Sequence, residues 1–523
     1  MGLNDEERKG LVAHLAFKAS SGRTTPSVAG SIPALSAKGT RVMTDVRPPS
    51  DDDVSGTLRS VPAVGKVMDH PRVQRAAAGV GHAVLHRLVR DMLESRRQQS
   101  ARDGETPIDF ERFCDSVVHE VADLSTPSLR SVVNATGVVV HTNLGRAPLS
   151  RVAAEHVAAM AQGYTNLELD LATGQRRSRQ SHLGRLLRTL TEAEDILVVN
   201  NNAAAILLVA RALAFHSEVI VSRGELVEIG ESFRLPDIMK AGGARLVEVG
   251  STNRTRIADY EDAIGDRTAM LFKAHTSNFK TIGFTEQVSI KELAACARKR
   301  GHPCVYDLGS GMLRRPQGLA MGEEPSVEEA LHAGADLVTF SGDKLFGGAQ
   351  AGVVAGRKDL IGRLARSPIM RALRPGRLPL AALEAVALQY LDERRLPAEN
   401  PVFRMLGRSS AELRVEAEQL AASLDQRGVV VEVVASQGQV GGGALPGSLL
   451  PGWAVRIVGP AGFPSISKKA STRLFLALLH GQPAVLGVLR EGRVVLDVRC
   501  LDRDAVDRVA DAVKIAVNGC SGK

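Results

Sequence analysis

Between residues 131 and 380, short runs of aliphatic and β-branched residues alternate with longer runs of helical spacing. No other feature of the chain limits its fold as tightly. The short runs fall at 196–199, 218–221, 245–249, 268–272, 303–306 and 337–340, with helices predicted between them, including 149–162 and 181–193. Strands separated by helices cannot pair through tight turns, so they lie parallel, and the crossing helices cover both faces of the sheet. The alternation therefore predicts an α/β domain over 131–380 with a mostly parallel sheet. Such sheets gather ligands at the carboxyl ends of their strands. The residues just beyond each run are the ones to read for chemistry.

Three of those junctions carry it. The run at 196–199 meets Asn200-Asn201-Asn202 and then Ala203-Ala204-Ala205, which open a helix. Free N–H groups and the positive end of the helix dipole suit a phosphate at Asn202, Ala203 and Ala204, though a plain asparagine cap reads the same way. Asp307 follows the run at 303–306, where a carboxylate can pair with a protonated pyridine nitrogen. Lys344 follows the run at 337–340 through Ser341-Gly342-Asp343 and precedes Gly347, Gly348 and Gly352. Lysine is rarely buried unless it is paired or chemically used. A Schiff base to pyridoxal phosphate (PLP) accounts for this one, and the glycines leave room for a flat ring; a surface lysine after a strand is the alternative. Ser341-Gly342-Asp343-Lys344 also fits the S-x-x-K of penicillin-binding enzymes, but that chemistry needs a later K-T-G triplet, which the sequence lacks.

The flanks differ from this centre. Residues 1–57 are rich in Ser, Thr, Gly and Pro and carry the acidic run 51–53, so they read as a disordered extension, with a short helix near 5–18. Residues 58–130 read as a small helical domain, with Val84, Leu85, Leu88, Val89, Met92 and Leu93 at helical spacing. Within 59–102, nine Lys and Arg stand against three acids, which accounts for six of the chain's eight net positive charges. That face either contacts the phosphates of a nucleic acid or is simply solvated. From 381 to 523 the pattern becomes α+β and reads as a smaller C-terminal domain. It comprises a helical stretch to 426, strands at 429–434 and 453–458 around Gly441-Gly442-Gly443, a helix at 467–480, a hairpin of 484–490 with 493–498, and a last helix at 503–517. The five cysteines are scattered with no CxxC pair, which argues against a disulfide framework and a zinc site. With no long apolar run and no signal-peptide pattern, the expectation is a cytoplasmic protein without a membrane span.

Six segments together resemble the bacterial selenocysteine synthase family, the L-seryl-tRNA(Sec) selenium transferases, which are PLP enzymes of fold type I. They are residues 141–149 (His-Thr-Asn-Leu-Gly-Arg-Ala-Pro-Leu), 164–168 (Tyr-Thr-Asn-Leu-Glu), 223–226 (Arg-Gly-Glu-Leu), 252–255 (Thr-Asn-Arg-Thr), 275–278 (His-Thr-Ser-Asn) and 341–344 (Ser-Gly-Asp-Lys). The resemblance runs from about 58 to 516 and implies that 58–130 is a tRNA-binding domain. It implies conversion of L-seryl-tRNA(Sec) to L-selenocysteinyl-tRNA(Sec) by loss of water through an aminoacrylyl intermediate and addition of selenium from selenophosphate. It places Lys344, Asp307, Asn202, Ala203, Ala204, Ser341 and His275 around PLP, with Asp343 as the acid for the departing hydroxyl. Arg146, Arg371 and Arg374 would hold the anionic donor, Arg371 and Arg374 sharing a helix face if that segment is helical. It also implies a homo-oligomer, a decamer built as a pentamer of dimers. The sequence departs from the family pattern at Arg177 (usually Gly), Ala349 (usually Pro) and Pro375-Gly376-Arg377 (usually a Val-Asp-Lys-like triplet). A PLP lyase or aminotransferase acting on a small amino acid, and a tRNA-binding protein without catalysis, are the competing expectations.

Overall fold

The computed structural model describes residues 62–103, 108–229, 233–316, 318–319, 321–460, 467–502 and 504–521. The expected extension at 1–57, with its short helix, lies outside the described residues. The chain divides into two compact units, with the boundary between Ser131 and Val132.

The N-terminal unit is helical: α1 (Val64–Met68), α2 (Pro71–Ala76), α3 (His82–Asp103) and α4 (Phe110–Leu124). On α3, Leu85, Val89 and Leu93 recur every four residues and so fall on one face, packed with Val67, Val73, Phe113, Val117 and Val121. Val84, expected in that stripe, is half exposed, because the stripe is narrower than its apolar content suggests. Asp109 caps α4 by accepting the N–H groups of Glu111 and Arg112. Arg72 is tied to Asp115 and Glu111 of α4, while Arg75, Arg87, Arg90 and Arg96 are exposed.

The second unit is built on a seven-stranded sheet: β1 (Asp195–Val199), β2 (Glu218–Ser222), β3 (Arg245–Val249), β4 (Thr268–Ala274), β5 (Cys304–Gly309), β6 (Leu337–Ser341) and β7 (Gly352–Gly356), in the order β1-β7-β6-β5-β4-β2-β3. All six expected strands form. From β6 across to β3 every pairing is parallel. The unexpected strand is β7, which runs antiparallel to both β6 and β1. Burial on both faces follows the two-residue period of a strand. Ile196 and Val198 enter one core with Val338, Phe340 and Val353, while Leu197 and Val199 enter the other with Leu337 and Val354.

The C-terminal part adds an antiparallel sheet of β8 (Val429–Gly441), β9 (Ala444–Pro460), β10 (Val488–Arg490) and β11 (Arg493–Asp497), ordered β8-β9-β11-β10. Here the structure corrects three expectations. The helical stretch to 426 is broken into Arg377–Gln389, Leu396–Glu399, Pro401–Gly407 and Ser410–Asp425. Pro397 and Pro401 open two of those pieces, because proline fits only the first turn of a helix. β8 and β9 outrun the predicted strands and meet at the glycine turn. Finally, the predicted strand 484–490 splits at Gly487, where a Cβ would lie 2.7 Å from Leu496 Cδ2. Ala484–Leu486 then pairs in parallel with Val132–Asn134, and only β10 pairs with β11. Val440, Ala444 and Leu445 share one core with Phe340 and Leu345, so the residues from Val132 onward form one compact unit.

Candidate active site

The strand ends of β4, β5 and β6 and the start of helix α5 (Asn202–Leu213) surround one cavity of about 210 Å³. β5 is buried along its whole length and carries Asp307 opposite Thr339 of β6. Asp307 Oδ1 accepts from Asn202 Nδ2 and from Thr339 Oγ1, both at 2.8 Å. Burial pushes its carboxyl above the usual range, and those two hydrogen bonds oppose the push. The ladder shifts register just after Asp307, and Gly309 follows at a φ of +67°. β6 ends at Ser341, and the chain turns through Gly342 and Asp343 to Lys344, which is only 4% exposed. The Leu345 N–H donates to Ser310 O at 2.9 Å, which nests this turn against the end of β5. Burial holds the Lys344 ammonium below the usual lysine range; the charge of Asp307 opposes this and that of Arg146 adds to it. A lysine so placed is more nucleophilic at neutral pH than a solvated one.

Lys344, Asp307, Asn202, Ala203, Ser341, His275, Asp343 and Arg146 all line this cavity. Ala204 does not: its N–H is taken by Asn201 Oδ1 at 2.8 Å, and that of Ala205 by Asn201 O. The cavity-lining residues of this turn whose N–H groups those bonds leave untaken are Asn202 and Ala203. Arg146, itself at a φ of 66°, donates from Nη1 to Asp343 Oδ2 at 2.7 Å. Arg371 and Arg374 line a different cavity of about 730 Å³, which shares no residue with the first. They do not share a helix face, because that helix spans only Met370–Leu373 and Arg374 is extended. Arg374 lies 3.6 Å from Glu168, which also holds Arg179 at 2.5 Å and Arg176 at 2.9 Å.

Of the departures from the family pattern, Ala349 lies by the lysine turn, its carbonyl beside Gly342, and the others fall near this second cavity. Arg177 lines it and lies 3.5 Å from Asp170. The Pro375 carbonyl accepts from Arg179, Gly376 caps the helix Arg377–Gln389, and Arg377 donates to the carbonyls of Gly163 and Ala161 at the end of the helix Arg151–Gln162. An arginine at a helix's C-terminal carbonyls stabilises it.

Sequence reasoning passed over several residues here. Ser277 lines the cavity, and its place two residues after His275 was the available signal. Glu324, with no exposed side-chain surface, lies 3.3 Å from His275 Nε2. Glu225 forms a buried pair with Lys273 at 2.5 Å and accepts the Ala274 N–H, fixing the end of β4 just before His275.

The cavity fits PLP in its own chemistry. Asn202 Oδ1 is buried without a hydrogen-bond partner among the described residues, beside two N–H groups suited to a phosphate. Gly309 and Gly443 leave open space beside Lys344, where a Cβ on either would come within 3.8 and 3.4 Å of Nζ.

In its sheet order and its strand-end cavity, the body has the fold of the type I PLP-dependent transferases. A solved structure described as D-glucosaminate-6-phosphate ammonia-lyase shares that fold, with a TM-score of 0.52 at 20% identity over 75% of this chain and 97% of its own. The chain belongs to the L-seryl-tRNA selenium transferase family, whose model matches residues 132–502, with a selenocysteine synthase N-terminal model matching 58–97. Relatives described as L-seryl-tRNA(Sec) selenium transferase come from Carboxydothermus hydrogenoformans, at 41% identity over 86% of this chain and 96% of that protein, and from Rhizobium meliloti, at 44% identity with the same coverage. Among the described residues no helix is long and apolar enough to cross a membrane.

Proposed function

We propose that this chain converts L-seryl-tRNA(Sec) to L-selenocysteinyl-tRNA(Sec) with PLP in the Lys344 cavity and selenophosphate as the donor. The observation that carries the proposal is Lys344 itself, buried at a strand end beside Asp307 and the Asn202 turn. Lys344 is the residue that holds PLP, and the N–H groups of Asn202 and Ala203 would meet its phosphate. Bound there, PLP supplies an electron sink for the pair left at the serine Cα. Asp307 keeps a proton on the ring nitrogen, held in place by Asn202 and Thr339. Lys344 or a neighbouring base takes the Cα proton. Asp343, held as a carboxylate by Arg146, would pass that proton on to the β-hydroxyl, which leaves as water, because hydroxide is a poor leaving group without an acid.

Selenium then bonds to the serine Cβ as its proton restores the Cα–H bond, and water attacks phosphorus to break the P–Se bond and release phosphate. The arginines bind this donor through planar forks. Arg146 stands in the Lys344 cavity and Arg371 and Arg374 in a separate one. Because Arg146 is bonded to Asp343, acid and clamp are coupled: an anion that draws Arg146 away releases Asp343. The basic N-terminal unit is assigned to the tRNA, in a cytoplasmic homo-oligomer.

The deciding experiment compares turnover of seryl-tRNA(Sec) with that of free serine. Selenium incorporation into seryl-tRNA(Sec) alone, lost in Lys344→Ala, is the expected result. Turnover of free serine at an equal rate would instead make the chain a small-molecule lyase.

A further inference from the structure

Beyond the space that Gly443 leaves beside Lys344, the glycines at 441–443 and the buried Glu324 have no part in the roles assigned above, and the fold brings them together. In the turn joining β8 to β9, Gly441, Gly442, Gly443 and Leu445 have φ of 77°, 62°, 78° and 50°. A leucine in the left-handed region is strained and stays there only when its surroundings hold it. Leu445 is held at two points: its side chain is buried in the main core, and its N–H donates to Glu324 Oε2 at 2.8 Å. The same carboxylate oxygen lies 3.3 Å from His275 Nε2. The base of the turn is fixed as well, since the N–H groups of Val139 and Val140 donate to the carbonyls of Gln439 and Val440 at 3.0 and 2.7 Å. Its tip reaches the lysine: a Cβ on Gly443 would lie 3.4 Å from Lys344 Nζ and 3.2 Å from Ser277 Oγ.

We propose that Glu324 is a positioning residue which, through Leu445 and His275, holds the 441–445 turn in place against Lys344 and Ser277. The proposal rests on the assignment of that cavity as the active site. One carboxylate oxygen serving a backbone N–H and an imidazole, 121 and 49 residues away in sequence, fixes the separation of the two. Removing the carboxylate leaves the buried Leu445 N–H and the part-buried His275 without their partner, and the leucine is then free to relax out of the left-handed region. The turn against Lys344 moves with it, and a shift of about 1 Å in a reacting geometry costs on the order of a hundredfold in rate.

The test uses full-length Glu324→Ala and Glu324→Gln. In cofactor-free protein, amide hydrogen exchange at residues 443–445 should quicken about tenfold or more in Glu324→Ala, while the helix Ser410–Asp425 keeps its wild-type protection. Glu324→Gln, whose amide oxygen still accepts the Leu445 N–H, should stay within about threefold of wild type. With PLP bound, kcat for selenium transfer should fall about ten- to a hundredfold in Glu324→Ala at a nearly unchanged KM for seryl-tRNA. Unchanged exchange at 443–445 would overturn the proposal, as would faster exchange spread evenly over the body or a wild-type kcat. If the wild type also fails to turn over seryl-tRNA, the assigned reaction falls, and the exchange comparison still decides whether Glu324 holds the turn.

Discussion

Asp307 and Lys344 are both displaced from their ordinary ionisation by the same cause, burial at the end of a strand. For Asp307 this makes a prediction about stability. Its folded pKa is raised above the unfolded one, so its contribution is most favourable at low pH and is lost as pH rises through the folded value. Asp307→Asn removes the ionisation while an amide oxygen still accepts from Asn202 and Thr339. Cofactor-free Asp307→Asn should therefore melt above wild type at neutral pH, and the gain should shrink to nothing as pH falls to about 4, near the unfolded aspartate value. Thermal melts across that range check this, and a gain that grows on acidification would contradict it. The same variant should lose about a hundredfold or more in turnover with PLP bound, because a charge aimed at the reacting system is gone.

At the scale of elements, the strands that two-sided burial makes continuously apolar were legible, and with them the strand-end positions of Asp307, Lys344 and the Asn202 turn. β7 was not, because Gly352 and Gly356 bracket three small apolar residues that read as the continuation of a glycine loop. The backbone explains those glycines: a Cβ on Gly352 or Gly356 would collide with the carbonyl of Asn201 or Asp336. Glu324 was equally hidden, since it sits in a segment without periodicity and its backbone partner, Leu445, is 121 residues away. Spacing in sequence misled at Val84 and again at Arg371 and Arg374. Three residues apart in sequence, they are joined by a shared cavity and not by a helix face. That cavity gathers Arg176, Arg177, Arg179, Arg371 and Arg374 around the single acid Glu168, which supports the proposal that an anionic donor is held there. Arg371→Ala and Arg374→Ala should each raise KM for the selenium donor about tenfold or more, the worth of a charged hydrogen bond, and leave the visible absorbance of bound PLP unchanged. Steady-state kinetics at varied donor concentration decide it; wild-type KM in both variants would return these arginines to the surface.

On the whole-molecule scale, the charge is unevenly shared between the two units. Most of the net charge lies in 59–102, and Arg75, Arg87, Arg90 and Arg96 are exposed there, whereas Arg72 is tied into its own helices. The body from Val132 has its own cores, sheet and cavity. If the N-terminal unit reads tRNA, deleting residues 1–130 should abolish binding of seryl-tRNA(Sec) and leave PLP absorbance in the truncated body. A helical bundle with a merely solvated basic face predicts the opposite, equal affinity with and without it. Salt gives an independent measure. Each phosphate contact releases counterions and contributes a slope of about −0.7 to −0.9 in log K against log salt, so four exposed arginines in contact predict a slope near −3 for the intact chain. Replacing Arg87 and Arg96 together should flatten that slope by about 1.5 and weaken every tRNA tested to a similar degree, because phosphate contacts carry no sequence information. Titrations of intact, truncated and doubly substituted protein at three salt concentrations measure both quantities, with PLP absorbance as the control for folding. An unchanged slope in the double variant would move the tRNA contacts off α3 and onto the catalytic body.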